Sequence, residues 1–267
     1  MIKRAILIAA GRGKRLGPHT EEIPKCMVEV AGTPILGWVW QALARVGVEE
    51  LVVIRGYRGD VLEQFVRQLV PRAIFVDNHE WETNNVLLSL GCARAHLDQP
   101  AYVTYSDIVF TPGVAEAAAR SSAEIGLVID RDFRSVYVGR DQHPLEEGEV
   151  ADLKADGSVA RVGKRALPVP EAIGEFIGLS RIGAQGMATV AAAFDELAQR
   201  YAGRDEHPFQ RATRYRNAYL TDLWQELIDR GVRLDPILIA GQWREIDTGQ
   251  DLDRARQLLE SEPKEWT

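Results

Sequence analysis

The chain has 267 residues, 46% of them hydrophobic and 27% charged, enough to bury a substantial core as one large α/β domain or one domain with a small appendage. Its formal charge of −7 argues against nucleic acid as a partner, which would require a basic face, although it does not forbid a locally basic pocket. No apolar run approaches the roughly 20 residues of a membrane span, and Met1-Ile2-Lys3-Arg4 leads directly into a strand, so the expectation is a cytoplasmic protein with no membrane partner.

Ala5-Ile6-Leu7-Ile8-Ala9-Ala10 is a short continuous apolar run, as expected of a strand buried on both faces of a parallel sheet. It ends in Ala9, Ala10, Gly11 and Gly13, where small residues let the backbone approach an anion closely. Arg15 and Lys25 follow as two cations within reach of that loop, a bidentate guanidinium and a compact ammonium suited to a polyphosphate. Two generic signatures fail here. Gly13-Lys14 is followed by Arg15 instead of Ser or Thr, and Leu16 stands where a dinucleotide loop has its third glycine. Cys26 and Cys92 form neither a metal-ligand spacing nor a redox pair, and both read as reduced thiols in or near the core, Cys26 behind the loop.

Downstream the pattern alternates. Ile35 to Val46 reads as an amphipathic helix, Glu50 to Ile54 as a strand, Asp60 to Leu69 as a helix, and Ala73 to Val76 as a strand. Thr83 to His96 reads as a helix with a polar opening, and Ala101 to Tyr105 as the next strand. This order specifies a Rossmann-like, doubly wound, mostly parallel sheet with helices on both faces, whose ligands bind beyond the carboxyl ends of the strands. Asp107 falls on that rim, where a carboxylate either holds Mg²⁺ against a triphosphate or closes a turn.

Between Gly126 and Leu179 the composition changes. Leu127 to Ile129 is apolar, and Glu146 to Lys164 alternates around an Asp156-Gly157 turn, predicting a small antiparallel addition beside the main sheet. Among its cations Arg131, Arg134, Arg140, Lys164 and Arg165, Lys164 is the preferred ligand for an acceptor anion. Glu175 either faces the cleft to meet a hydroxyl or ammonium, or faces solvent. Trp81, Tyr105, Phe133 and Tyr137 serve either as a box for a cationic headgroup or as core.

Helices follow over Met187 to Tyr201 and Ala218 to Arg230, joined by a polar link, Arg204 to Arg216, that reads as a candidate flap. The histidines at 19, 79, 96, 143 and 207 lack ligand spacing and read as structural or surface residues. A strand over Leu234 to Ile239 precedes Asp247 and Thr248, which open a final helix from Gln250 to Leu259; Thr248 is a candidate cap. No linker or repeat appears, so residues 1–267 read as a single domain; the resemblance described next implies a nucleotide-binding half over 1–125 and an acceptor-binding half over 126–267.

The opening segment resembles the sugar-phosphate nucleotidylyltransferase superfamily: Ala9-Ala10-Gly11, Gly13, Arg15-Leu16, Pro18, Thr20, Pro24-Lys25, Met27 and Gly32-Thr33-Pro34-Ile35-Leu36 all fall in one register. Thr83-Asn84-Asn85 with Ser89-Leu90, Tyr105-Ser106-Asp107-Ile108-Val109 and Glu175 to Leu179 are similar to the branch that transfers cytidylyl groups to small phosphate or phosphonate compounds. The resemblance implies a metal-dependent nucleotidyltransferase. Ala9, Ala10, Gly11, Gly13, Asn84, Asn85 and Ser89 would bind the nucleotide, while Arg15 and Lys25 would take its phosphates. Asp107 and Asp247 would hold Mg²⁺, and Tyr105, Lys164 and Glu175 would meet the acceptor. The implied partners are CTP, or another nucleoside triphosphate, and a small phosphorylated or phosphonate acceptor. A sugar-1-phosphate or cyclitol-phosphate acceptor, an inactive nucleotide-binding regulatory subunit, and the oligomeric state, a homodimer included, stay open at this point.

Overall fold

A computed structural model describes residues 1–266. Strands β1 (Arg4–Ala9), β2 (Glu50–Arg55), β3 (Ile74–Asp77) and β4 (Ala101–Tyr105) alternate with helices α1 (Ile35–Arg45), α2 (Gly59–Leu69) and α3 (Val86–Cys92). The short strand β5 (Ile108–Phe110) leads to α4 (Pro112–Arg120), β6 (Ile125–Asp130) and a short helix α5 (Phe133–Tyr137). The second half carries β7 (Glu149–Leu153), β8 (Val159–Lys164), β9 (Gly174–Ile182), α6 (Ala184–Arg200), α7 (Leu220–Asp229), β10 (Asp235–Ile239), β11 (Trp243–Glu245) and α8 (Gly249–Ser261).

β4, β1, β2 and β3 lie side by side and parallel, with β1 in the interior. The alternation of β1 explains the layers on either side. Ile6 and Ile8 face a core with Leu87 and Leu90 of α3, Val190 and Phe194 of α6 and Trp224 of α7. Ala5, Leu7 and Ala9 face the other side, against Leu36 and Val39 of α1, Leu62 and Val66 of α2 and Val114 of α4. A strand buried on both faces is therefore sandwiched by helices, as period-two geometry requires of a continuous apolar run.

β9 runs antiparallel to β4 and carries the sheet into the second half, pairing also with β6 and β7; β10 adds parallel to β6. The hairpin β7–β8, turned through residues 154–158, is thus a continuation of one nine-stranded sheet. Gly178 in β9 has φ +87°, and a Cβ there would come within 2.4 Å of the Tyr105 ring, so glycine is required where β9 passes over that side chain.

Two expectations need correction. The helix expected from Thr83 starts only at Val86, because Asn85 is extended and Asn84 and Asn85 spend their amides on other segments. Cys92 is exposed at the end of α3, with its thiol on the Leu88 carbonyl, whereas Cys26 is buried. The helices α4 and α5 were not anticipated in the sequence. In the 204–216 link, Phe209 and Tyr215 are buried, and the Tyr201 and Tyr215 rings stack with centroids 4.2 Å apart. Among the described residues, no helix is long and apolar enough to cross a membrane.

Candidate active site

β1 delivers the chain to Gly13, whose backbone is left-handed at φ +74° and whose hydrogen faces the Lys25 side chain; a Cβ would come within 2.8 Å of it. Leu16 N–H and the Thr20 hydroxyl both bond the Gly13 carbonyl, at 3.0 and 3.1 Å, and curl the loop around Lys25. Lys25 Nζ then donates to Asp107 Oδ2 at 2.9 Å and to Asp247 Oδ1. Arg15 donates to Asp247 Oδ2 from a half-exposed position.

Asp107 and Asp247 lie 140 positions apart in sequence and meet through a two-stranded ladder. β5 pairs antiparallel with β11, and Ile246 N–H bonds the Asp107 carbonyl at 2.8 Å. Ile246 is itself buried with Leu16, Val28, Val109 and Leu252, a small core that seats α8 beside the loop. Thr248 caps α8 reciprocally with Asp251, whose Oδ2 also accepts from Asp247 N–H at 3.1 Å.

Burial opposes charge on both Lys25 and Asp247, and the pairing outweighs it. Asp107 and Asp247 hold the Lys25 ammonium above its ordinary range, while Lys25, His143 and Arg15 hold the Asp247 carboxyl well below its own. Asp107 Oδ1 is buried without a hydrogen-bond partner among the described residues. A carboxylate oxygen left over beside a second carboxylate suits a hard divalent cation, so Asp107 and Asp247 fit Mg²⁺.

Beside Asp247 lie His143, Glu245 and Arg140, a set that the sequence did not bring together. His143 Nδ1 lies 3.2 Å from Asp247 Oδ2 and 3.7 Å from Glu245 Oε2, and His143 is buried beside both. Ligand atoms of His143, Glu245 and Asp247 lie within 4.8 Å of one another, so this trio too has the composition to hold a metal. Arg140 bridges Glu245 at 2.9 Å and Asp251 at 2.7 and 3.1 Å, and fixes both carboxylates. The alternation Glu245-Ile246-Asp247 would have revealed Glu245, since alternate residues of an extended segment share a face. No local signal marks Arg140 or His143.

Two hollows adjoin at Asp107. The first is lined by Ala10, Gly11, Gly13, Trp81, Asn84 and Ser89, with Lys25 at its inner end. Asn85 lines both hollows, its amide nitrogen donating to the Asn217 carbonyl at 2.9 Å, and Ala9 stays within buried β1. The second is lined by Tyr105, Glu149, Lys164, Glu175, Tyr219 and Glu245, together with Arg15 and Asp247. Lys164 Nζ sits 4.6 Å above the Tyr219 ring.

The second hollow is rich in carboxyl groups. Glu149 accepts from the Tyr105 hydroxyl at 3.0 Å and the Thr221 hydroxyl at 2.8 Å, and burial raises it to about 7. Glu175 accepts from the Tyr137 hydroxyl at 2.7 Å; burial and then the charge of Glu245 raise it to about 8, and its Oε2 is buried without a hydrogen-bond partner among the described residues. The four aromatic residues considered from sequence do not form one box. Phe133 is enclosed in a separate core with Val150 and Leu167, and Trp81 packs on Tyr57 beside the first hollow. Of the other cations, Arg134 caps the carbonyls of Val169 and Ala172, and Arg140 is committed to Asp251 and Glu245.

Comparison with known proteins places this geometry. Residues 5–162 match the model of the MobA-like NTP transferase domain. The CTP:phosphoglutamine cytidylyltransferase of Campylobacter jejuni is 29% identical over 255 residues, covering 93% of this chain and 97% of that protein. The 2-aminoethylphosphonate cytidylyltransferase of Lancefieldella rimae is 32% identical over 163 residues, 60% of each chain, so this match spans less than two thirds of that relative. The structure of CTP:phosphocholine cytidylyltransferase from Streptococcus pneumoniae superposes with a TM-score of 0.72 at 19% identity, covering 97% of this chain and 99% of that one, which shows a shared fold.

Proposed function

The chain belongs to the MobA-like NTP transferase domain family and is a nucleotidyltransferase, and from that premise we propose that it transfers a cytidylyl group from CTP to a small acceptor bearing both a phosphate or phosphonate and an amino group. The observation that carries this reading is the position of Asp107, Asp247 and Lys25 at the junction of the two hollows. One hollow has the small-residue loop suited to a triphosphate; the other has a cation at Lys164 and an unsatisfied carboxyl oxygen at Glu175.

In this reading an oxygen of the acceptor anion attacks the α-phosphorus of CTP, the bond from that phosphorus to the β-bridging oxygen breaks, and pyrophosphate leaves with the electron pair. An anionic oxygen is already deprotonated, so the chain supplies no general base. Its work is positioning and charge neutralisation. Lys25 and Arg15 would exchange their carboxylate partners for the nucleotide's phosphates, Lys164 would hold the acceptor anion, and Glu175 with Tyr105 would orient its amino end. Asp107 and Asp247 would hold Mg²⁺, which when bound neutralises charge on the triphosphate.

The relatives act on phosphoglutamine and aminoethylphosphonate by name, and the pairing of the Lys164 cation with the Glu175 carboxyl, whose Oε2 has no hydrogen-bond partner among the described residues, supports an acceptor of that zwitterionic kind. The test is incubation with CTP labelled at the α-phosphate and an aminoalkyl phosphonate. Label recovered in a cytidylyl conjugate supports the reading; label confined to CTP and CMP contradicts it. The protein's cellular location and state of assembly belong to the same proposal: a cytoplasmic enzyme acting without nucleic acid or membrane.

A further inference from the structure

We propose that Asn78 sets the hydrogen-bond polarity of the wall that meets the nucleotide base, so that this wall offers donors and takes cytosine in preference to uracil. The inference rests on reading the hollow beside the glycine loop as the nucleotide site.

Asn78 follows β3 on the ligand-binding rim of the sheet and is 2% exposed. A backbone group fixes its amide: Glu80 N–H, which can only donate, lies 3.0 Å from Asn78 Oδ1. Asn78 Nδ2 therefore points the other way, donating to Asn84 Oδ1 at 2.9 Å and to Ser89 Oγ at 2.8 Å. Asn84 Nδ2 returns a bond to Asn78 Oδ1 at 2.9 Å. The orientation of all three side chains thus descends from one main-chain N–H.

The consequence appears on the ligand side, where Asn84 and Ser89 line the hollow next to Trp81. Asn84 has its oxygen turned to Asn78 and retains one N–H to give. Ser89 accepts from Asn78 and so retains its O–H to give. Cytosine presents two acceptors, N3 and O2, along one edge; uracil presents a donor at N3. A donor wall matches the first and opposes the second, and a site whose polar groups are left unpaired rejects the mismatched ligand strongly. Asn78 is a positioning residue here, acting through Asn84 and Ser89.

Asn78→Asp tests this at nearly constant shape. A carboxylate can only accept, so Ser89 must donate inward, and Asn84, whose nitrogen already bonds inward, must turn its oxygen away from the carboxylate, which leaves acceptors on the ligand side. The measurement is the Kd of CTP and of UTP for wild type and N78D by equilibrium titration. The expected result is a fall of about tenfold or more in the CTP-over-UTP ratio, or its inversion. A merely structural role would weaken both nucleotides together and leave the ratio in place, and a CTP preference that N78D retains overturns the proposal. A wild type that binds CTP and UTP equally contradicts the cytosine reading of the site and overturns the proposal with it. Should N78D not fold, Ser89→Ala removes one of the two donors, and the same ratio must fall; an unchanged ratio again overturns the proposal.

Discussion

Lys25 Nζ donates to Asp107 Oδ2 at 2.9 Å, joining the loop after β1 to the turn after β4 across the rim of the sheet. Together with the Lys25–Asp247 contact, it neutralises two carboxylates that would otherwise repel each other. Substrate binding must exchange these partners. Lys25 and Arg15 thus compensate the charge of Asp107 and Asp247.

Asp107→Asn and Asp247→Asn are each expected to lower turnover by about 10²–10³, the usual cost of removing one charge-stabilising group. Pyrophosphate release at saturating CTP measures this. Wild-type turnover in both variants would remove these residues from the reaction.

Arg140→Met is expected to destabilise the fold by about 3–5 kcal/mol, since it leaves Asp251 and Glu245 partly buried without their guanidinium. Urea unfolding reads the loss. A midpoint equal to wild type would mean that the Arg140 bridge contributes nothing to holding β11 and α8.

Gly178→Ala forces a Cβ toward the Tyr105 ring at a backbone angle that side chains rarely adopt. Tyr105 faces the second hollow, so the expected effect is a raised KM for the acceptor with the CTP affinity nearly unchanged. A variant in which CTP binding falls as much as acceptor binding would place Tyr105 elsewhere in the reaction.

Glu175 gives a pH prediction. Its folded value, raised from the ordinary 4.5 to about 8 by burial and Glu245, exceeds its unfolded value, so the folded chain binds the extra proton. Its contribution to stability is complete below about pH 4.5 and is lost as pH rises toward 8. Glu175→Gln mimics the protonated form, so its Tm should gain on wild type across that window and hold a constant lead above it. A difference that is flat with pH would contradict this.

The parts legible in the sequence are those that short-range pattern determines. The apolar run of β1, the Gly11 to Lys25 loop and the αβ alternation through Tyr105 each lie within a few tens of residues, and the parallel order β4-β1-β2-β3 follows from them. Asp107 and Asp247 were visible as carboxylates after strands. Their approach to Lys25 was not, because it depends on the β5–β11 ladder between distant segments. The partners of Arg140 and His143 and the role of Glu149 escaped for the same reason: each reaches the site through contacts set by tertiary packing, with no periodicity or motif of its own. Asn78 had a weak signal, a polar residue at the carboxyl end of a buried strand.

In the proposed reaction one hollow takes CTP and the other a zwitterionic phosphorus acceptor. Pyrophosphate release measured with each of the four ribonucleoside triphosphates against aminoalkyl phosphates, aminoalkyl phosphonates, sugar-1-phosphates and cyclitol phosphates tests it most directly. The account predicts Mg²⁺-dependent release with CTP and an amino-bearing acceptor, and little with any other pairing. Release that is fastest with a sugar-1-phosphate and a different nucleotide would contradict it.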